Sequence, residues 1–258
     1  MPPTKTLCIV LKTLPYRETS CILHLYSKEL GLVQGIAKGI RRKSKEQIII
    51  ERGFLIEALV YGQAGAGLRT LGGIGLVDYF SKIRSDLARS AVRDTILETL
   101  QSGLHDSDEN EELFTFLSNT LARLDAQSAA QALPFAIWRF YADFSAIEGF
   151  GLNLETCLTC GKRLGGGLGG RLKTDTGGII CATCEPHRGD AALVPGFVVD
   201  FINCQSTEPT PAMVNLDKRD RKRITRLLAS YCRYHFDNRY DYKSLDFIDE
   251  LIDSATTK

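Results

Sequence analysis

The sequence predicts an α+β protein in which a small N-terminal β-barrel precedes a helical region with an inserted, cysteine-rich segment. Three observations support this prediction. Short β-rich runs separated by Gly-containing turns fill residues 1–80, a helical period of about 3.6 residues begins near residue 80, and two Cys-x-x-Cys pairs follow. We therefore place one domain at 1–80 and a helical domain at 81–258, with the insert at about 151–190.

Residues 1–80 contain five candidate strands. Their number and short length indicate a small closed or partly closed barrel. An OB-fold has this strand number and size, and an SH3-like barrel is similar, so the pattern alone leaves both open. The OB-fold is our prediction. The β-rich runs are Thr6–Leu11, Ser20–Tyr26, Leu32–Ala37, Gly53–Tyr61 and Leu68–Tyr79.

Helical periodicity predicts the elements that follow. Apolar residues recur on one face from Ile83 to Leu104, from Leu113 to Leu124 and from Ile137 to Ile147, where Gly149 is a suitable C-cap. Two further helices are predicted near the C-terminus, at 218–236 and 244–252. The order of strands, helices, insert and helices is typical of an α+β protein with a separate barrel.

The cysteines indicate a metal site. Four of the eight form two pairs separated by 20 residues, whereas the other four are scattered through apolar stretches. Each Cys-x-x-Cys pair can form a tight turn, called a knuckle, with both sulfurs facing one ion. Two knuckles can place four thiolates around that ion, and this arrangement suits zinc. A shell of four sulfurs leaves no open position, so we predict one structural Zn²⁺. The predicted ligands are Cys157, Cys160, Cys181 and Cys184.

Two alternatives to this zinc site remain open. The four cysteines could be free of metal or joined in disulfides, and His187 could replace one sulfur ligand. We favour four cysteines, because they already complete the shell. The segment between the pairs is rich in glycine, with eight in the 20 residues from Gly161 to Ile180, so metal binding would supply its folding energy.

Net charge is unevenly distributed along the chain. The total is +1, yet residues 1–81 hold 11 basic and 6 acidic side chains, and residues 82–150 hold 6 and 11. Residues 151–200 are neutral and residues 201–258 carry +1. The near-neutral total therefore hides a basic barrel, and it does not exclude a nucleic-acid partner.

Two basic clusters are candidate DNA-binding surfaces, because Lys and Arg side chains displace the counterions of the phosphate backbone. Each also has a plainer explanation, namely a solvated loop for the first and the solvated face of an amphipathic helix for the second. The first cluster, at the end of a predicted strand, comprises Lys38, Arg41, Arg42, Lys43 and Lys45. The second, a secondary candidate, comprises Lys218, Arg219, Lys222 and Arg226.

Signatures of catalysis and of export are missing from the sequence. The glycine runs at 62–67 and 165–170 lack the Lys-Ser/Thr of a phosphate-binding loop, and the four histidines are dispersed. We therefore expect a protein that is not an enzyme. No apolar run approaches the ~20 residues of a membrane helix, and Met1–Lys12 lacks the apolar core of a signal peptide. We expect a cytoplasmic protein without membrane contact.

Taken together, the motifs resemble those of the bacterial recombination and repair family RecO. The resemblance spans nearly the whole chain, and its motifs are specific in this order and spacing. They are Leu11–Ser20, Leu25–Leu32, Gly35–Gly39, Gly149–Leu154, Cys157–Gly161, Gly177–Cys184, Tyr234–Phe236 and Lys243–Leu245. The long glycine-rich stretch between the cysteine pairs departs from the family pattern, which leaves the tip of the insert without a precedent.

The resemblance implies an N-terminal OB-fold, a helical domain and a zinc-ribbon-like insert. It also implies binding to single- and double-stranded DNA, annealing of complementary strands, and partnership with RecR and RecF in loading the RecA recombinase. The strands to be loaded are coated by single-strand-binding protein, whose acidic C-terminal tail is a further expected partner, and the expected location is the nucleoid. Two alternatives stay open, namely a zinc-stabilised hydrolase or transferase and a zinc-ribbon interaction module without DNA affinity.

Overall fold

The computed structural model divides the chain into two compact units, Met1–Ala126 and Gln127–Lys258. The first unit contains the strands of the predicted barrel and also three helices. Residue 80 therefore marks the change from strands to helices within the first unit. That it is also a domain boundary stays a prediction. The structure describes residues 2–42, 49–62, 67–104, 109–127, 132–186, 193–204, 209–210, 213, 215–236, 244–245 and 248.

The N-terminal strands close into a five-stranded barrel. The strands are β1 (Thr4–Tyr16), β2 (Ser20–Ser27), β3 (Gly31–Ala37), β4 (Leu55–Tyr61) and β5 (Leu68–Asp78). Around the barrel they follow the order β1-β2-β3-β5-β4, and β3 pairs with β5 in parallel. This is the closure of an OB-fold, so that prediction is confirmed.

Alternate side chains of each strand fill the barrel. Leu23, Leu25 and Val33 point inward and are buried, as the two-residue period of a strand requires. Gly35 is needed opposite Leu71, because a Cβ at this position would lie 2.5 Å from the Leu71 side chain. The packed interior leaves the outer face of the barrel as the surface open to a partner.

Three helices complete the first unit: α1 (Ser81–Ser85), α2 (Leu87–Gly103) and α3 (Glu111–Ala126). The single helix predicted from Ile83 to Leu104 is broken at Asp86, whose carboxylate caps α2 by accepting the Arg89 N–H at 2.7 Å. The Tyr26 ring of β2 lies 6.4 Å from that of Phe114 on α3. This end of the β2 outer face is therefore covered by a helix.

The second unit combines helices with a small sheet. The helices are α4 (Leu133–Ile147), α5 (Gly196–Asn203) and α6 (Lys218–His235), and the strands are β6 (Asn153–Cys157), β7 (Gly170–Lys173), β8 (Gly178–Cys181) and β9 (Leu193–Val194). The sheet has the order β6-β8-β7-β9. The two long helices are joined by a hydrogen bond, in which the Trp138 indole N–H of α4 donates to the Thr225 hydroxyl of α6 at 2.7 Å.

Two sequence expectations concern the remaining chain. The helix predicted at 244–252 falls largely outside the described residues. Among the helices that are described, none combines the length and apolar character needed to cross a membrane.

Candidate nucleic-acid interface and metal centre

The β1–β2 turn and the segment after β3 are joined at one end of the barrel. The Arg41 N–H donates to the Thr19 carbonyl at 2.9 Å, and the Gly39 N–H donates to the Ser20 hydroxyl at 3.4 Å. Gly39 has a φ of 72°, and the Arg42 N–H returns to its carbonyl at 3.0 Å, which closes a tight turn. Residues 17–19 of the β1–β2 turn and residues 38–42 therefore form one surface, which we call the turn surface.

The turn surface is basic and exposed. Lys38, Arg41 and Arg42 project into solvent, and none has a carboxylate partner within the described part of the chain. Lys43 and Lys45, the other members of the predicted cluster, lie outside the described residues. Cations without partners are available to a phosphate backbone, so the structure leaves this surface ready for an anionic ligand.

Sequence reasoning missed Arg17, which belongs to the same surface. It lies in the β1–β2 turn, two residues before the Thr19 carbonyl that holds Arg41, and it is exposed. Its guanidinium carbon lies 5.3 Å from the centroid of the Tyr16 ring. The available signal was an arginine that directly follows an aromatic residue and lies two residues after a proline, and this signal by itself is weak.

Beside the turn surface, an open face crosses four strands. Cross-strand pairing aligns its side chains in two rows on the outside of β1, β2, β3 and β5. These side chains are exposed or half-buried, and the strand 2–3 face of an OB-fold is the usual oligonucleotide platform. The first row is Leu14, Ile22, Ile36 and Thr70, and the second is Lys12, His24, Gln34 and Leu68.

Within this face, the protonated form of His24 is disfavoured. Partial burial, with a further contribution from the Lys12 charge, lowers the pKa of the imidazole below its ordinary value. Lys12 is therefore the cation of the two rows, and most of the positive charge lies in the adjacent turn surface.

The second basic cluster lies on α6 in the other unit. Asp217 caps the helix by accepting the Asp220 N–H at 2.7 Å. Buried Ile224, Leu227, Leu228 and Tyr231 form its opposite face, as the amphipathic pattern predicted. Of the four candidates, Lys218, Arg219 and Arg226 are exposed and Lys222 is half-buried.

The four predicted metal ligands meet at one point. The sulfur atoms of Cys157, Cys160, Cys181 and Cys184 all lie within 4.8 Å of one another. The Cys160 and Cys181 sulfurs are 3.9 Å apart, close to the roughly 3.8 Å expected when four sulfurs surround one zinc at about 2.3 Å. Among the described residues, no other group of three or more Cys, His, Asp or Glu side chains is so placed. His187 lies outside them.

Backbone N–H groups prepare this cluster for a cation. The Cys157 sulfur accepts from the N–H groups of Cys181 at 3.3 Å and Thr159 at 3.4 Å. Backbone donors, those of Cys181 and Cys160 foremost, lower the pKa of the Cys157 thiol to about 6. The crowded thiols of Cys160 and Cys181 raise the pKa of Cys184, because a further negative charge is unfavourable there. A bound divalent cation would remove that repulsion, so the donor set fits a metal.

The glycine-rich stretch packs closely against β9 and the start of α5. A Cβ at Gly169 would lie 2.1 Å from the Val194 carbonyl oxygen, and one at Gly196 would lie 2.3 Å from the Gly167 backbone. The Gly166 N–H donates to the Asp200 carboxylate at 2.9 Å. Glycine permits this backbone contact, so the stretch has a structural explanation that its composition did not reveal.

Comparison with known proteins assigns the chain to a family. Residues 1–80 match the family model described as Recombination protein O N terminal, and residues 84–245 match Recombination protein O C terminal. The chain is 26% identical to DNA repair protein RecO of Thermoanaerobacter sp. over 252 residues, which cover 96% of this chain and 97% of that protein.

Two further relatives bear the same name. The chain is 32% identical to DNA repair protein RecO of Geobacter metallireducens over 187 residues, which cover 71% of this chain and 73% of the relative. It is 28% identical to that of Frankia casuarinae over 242 residues, with 92% and 95% covered. With its OB-fold barrel, four-cysteine cluster and both family domains, the chain belongs to the RecO family of DNA repair and recombination proteins.

Proposed function

We propose that this chain is a recombination mediator that binds single- and double-stranded DNA and anneals complementary strands. The observation that carries the proposal is the turn surface, where Lys38, Arg41 and Arg42 lie exposed and without carboxylate partners among the described residues, next to the open face of an OB-fold. Family membership supports the biological context of DNA repair. No catalytic step is part of the proposal.

Its physical basis is electrostatic capture of phosphates. Each cation that contacts a phosphate releases condensed counterions. The logarithm of the binding constant therefore falls linearly with the logarithm of the salt concentration, with a slope of about 0.7–0.9 per phosphate contact. Two complementary strands repel each other through their phosphates, and a surface that neutralises both lowers the cost of their encounter. Because these contacts ignore base identity, the chain would act on any sequence.

The partners follow from the family. The proposal places RecR and RecF with this chain in loading RecA onto strands coated by single-strand-binding protein, and it makes the acidic C-terminal tail of that protein a ligand. A cytoplasmic location at the nucleoid belongs to the same proposal. The cations on α6 would form a second DNA-binding surface, with a solvated helix face as the competing explanation; they are Lys218, Arg219, Lys222 and Arg226.

The four cysteines would hold one structural Zn²⁺. Four thiolates fill its coordination shell and leave no position for a substrate or a water molecule. The ion would therefore stabilise the segment that carries Cys157–Cys184 and would have no catalytic role. Its support is the convergence of all four sulfurs within 4.8 Å.

Salt-dependent binding tests the DNA interface. Fluorescence anisotropy with labelled single-stranded and duplex oligonucleotides measures the affinity at salt concentrations from about 50 to about 200 mM. The affinity should fall steeply over this range, because about three or more phosphate contacts are expected. Replacing Lys38, Arg41 and Arg42 together by Gln should weaken binding to all sequences alike and reduce the salt slope by about two to three. A matched control replaces the exposed Lys82 and Arg123 of the same unit by Gln and should leave both quantities unchanged.

The same protein should accelerate annealing of complementary strands without a nucleotide cofactor, with or without single-strand-binding protein present. Absent or salt-independent DNA binding would contradict the proposal and favour an interaction module or an unrecognised enzyme. A loss confined to one DNA sequence would contradict the backbone-contact mechanism.

A further inference from the structure

Arg17 adopts a backbone conformation that its side chain does not favour. Its φ is 53°, and the only other non-glycine residue with positive φ among those described is Phe80, at 48°. Such a conformation is strained for a residue with a side chain, and glycine would adopt it more easily. Phe80 is buried, so packing explains it, whereas the Arg17 side chain is exposed and packing does not.

The strained conformation coincides with a specific contact. Arg17 lies over the ring of Tyr16, with its guanidinium carbon 5.3 Å from the ring centroid. Among the described residues, no carboxylate forms an ion pair with the Arg17 guanidinium, and the neighbouring Glu18 is no exception. The contact with an aromatic ring therefore takes the place of a salt bridge, and it leaves a planar cation at the surface.

The Tyr16–Arg17 pair lies beside the first row of the open face. Tyr16 is half-buried and pairs across the turn with Ser20, next to the outward-facing pair of Leu14 and Ile22. The Arg41–Thr19 hydrogen bond holds the β1–β2 turn against the basic segment 38–42. A strand whose phosphates contact the turn surface would therefore bring its bases toward the Tyr16–Arg17 pair.

We propose that Tyr16 and Arg17 form a base-stacking site that gives the barrel a preference for single-stranded over duplex DNA. Aromatic rings and guanidinium planes stack on unpaired bases of any sequence. In a duplex the bases are already stacked inside the helix, so only phosphates reach the protein. This inference rests on the proposed DNA binding and adds the residues that discriminate between its two substrates.

The test compares variants that separate ring, plane and charge. Tyr16→Leu should lower affinity for a single-stranded oligonucleotide by about five- to one-hundred-fold, the range of one lost stacking contact, and change duplex affinity less than twofold. Arg17→Lys keeps the charge but loses the plane, so it should keep the salt slope and still lose single-strand affinity. Tyr16→Phe keeps the ring and should bind like the unaltered chain, as should Tyr234→Leu, an exposed tyrosine of the other unit.

A direct readout monitors the stacked base. An oligonucleotide containing 2-aminopurine should change its fluorescence when bound by the unaltered chain and by Tyr16→Phe, and lose this change with Tyr16→Leu. If Tyr16→Leu fails to fold, as judged by circular dichroism, Arg17→Lys takes its place, because it removes the guanidinium plane and keeps the charge that duplex DNA also contacts.

The outcomes distinguish this inference from the function on which it rests. An unaltered chain that binds neither DNA form contradicts the proposed function. An unaltered chain that binds both forms, with variants that lose single-strand and duplex affinity equally or lose neither, overturns the stacking site alone.

Discussion

At the scale of single residues, glycines in the second unit decide how the metal-bearing segment is held. Gly169 follows the tip of the glycine-rich stretch, where its missing side chain lets the backbone approach Val194 and Pro195. The same contact brings Gly167 against Gly196, the first residue of α5. A stretch that reads as a flexible linker by composition is thus an ordered contact between two backbones.

This close approach predicts a large effect of one methyl group. Gly169→Ala would place a Cβ about 2.1 Å from a backbone oxygen, which cannot rotate away, so the strand must shift. We expect the free energy of unfolding to fall by about 1–3 kcal/mol or more. Urea unfolding followed by circular dichroism measures it. Gly75→Ala is the matched control, because no atom lies within 4 Å of its Cβ position and its φ is not positive.

At the scale of elements, the knuckles are joined to the sheet through β6, β7 and β8. Cys157 ends β6 and Cys181 ends β8, so the sheet brings the two pairs together. Glu185, directly after the second pair, meets Lys173 of β7 at 3.1 Å. The sheet is short, so we expect its stability to depend on the metal.

Removing one ligand should therefore unfold this element. Cys157→Ser should lower the zinc content well below one ion per chain, measured by mass spectrometry of the metal, and should lower the thermal midpoint of the second unit. Cys204→Ser is the control, because Cys204 is a cysteine of the same unit that lies outside the cluster. Unchanged stability with Cys157→Ser would contradict a structural metal.

The elements also show how far sequence patterns extend. The five strands, the long helices and the four-cysteine cluster are predictable, since each has a local period or spacing. The choice between an OB-fold and an SH3-like barrel is not, because it depends on the parallel pairing of β3 with β5, residues far apart in the chain. The break at Asp86 and the role of Arg17 likewise arise from contacts that no local pattern encodes.

At the scale of the whole molecule, carboxylates determine where the barrel stays basic. Residues 82–126 hold nine acidic and five basic side chains, and carboxylates of α2 and α3 pair with barrel cations, as in Lys28–Glu111 at 2.8 Å and Arg52–Asp94 at 3.6 Å. Within the described part of the chain, the barrel cations without a carboxylate partner are Lys12, Arg17, Lys38, Arg41, Arg42 and Arg69. The net charge of +1 is thus compatible with one localised DNA-binding surface.

The division into two units separates this surface from the metal. The turn surface belongs to Met1–Ala126 and the cysteine cluster to Gln127–Lys258. We therefore expect metal removal to damage the second unit while the first still binds DNA. Zinc is released with a mercurial reagent and a chelator, and binding is measured by anisotropy on a single-stranded oligonucleotide over a series of salt concentrations.

After release, the thermal transition of the second unit should weaken, while the salt slope should stay within about one phosphate contact of its original value, since the turn cations are untouched. Cys157→Ser, which reaches the same state without a reagent, should behave alike. A loss of DNA affinity in proportion to the zinc released would contradict this expectation and would assign the main interface to the second unit, where the cations of α6 are the alternative surface.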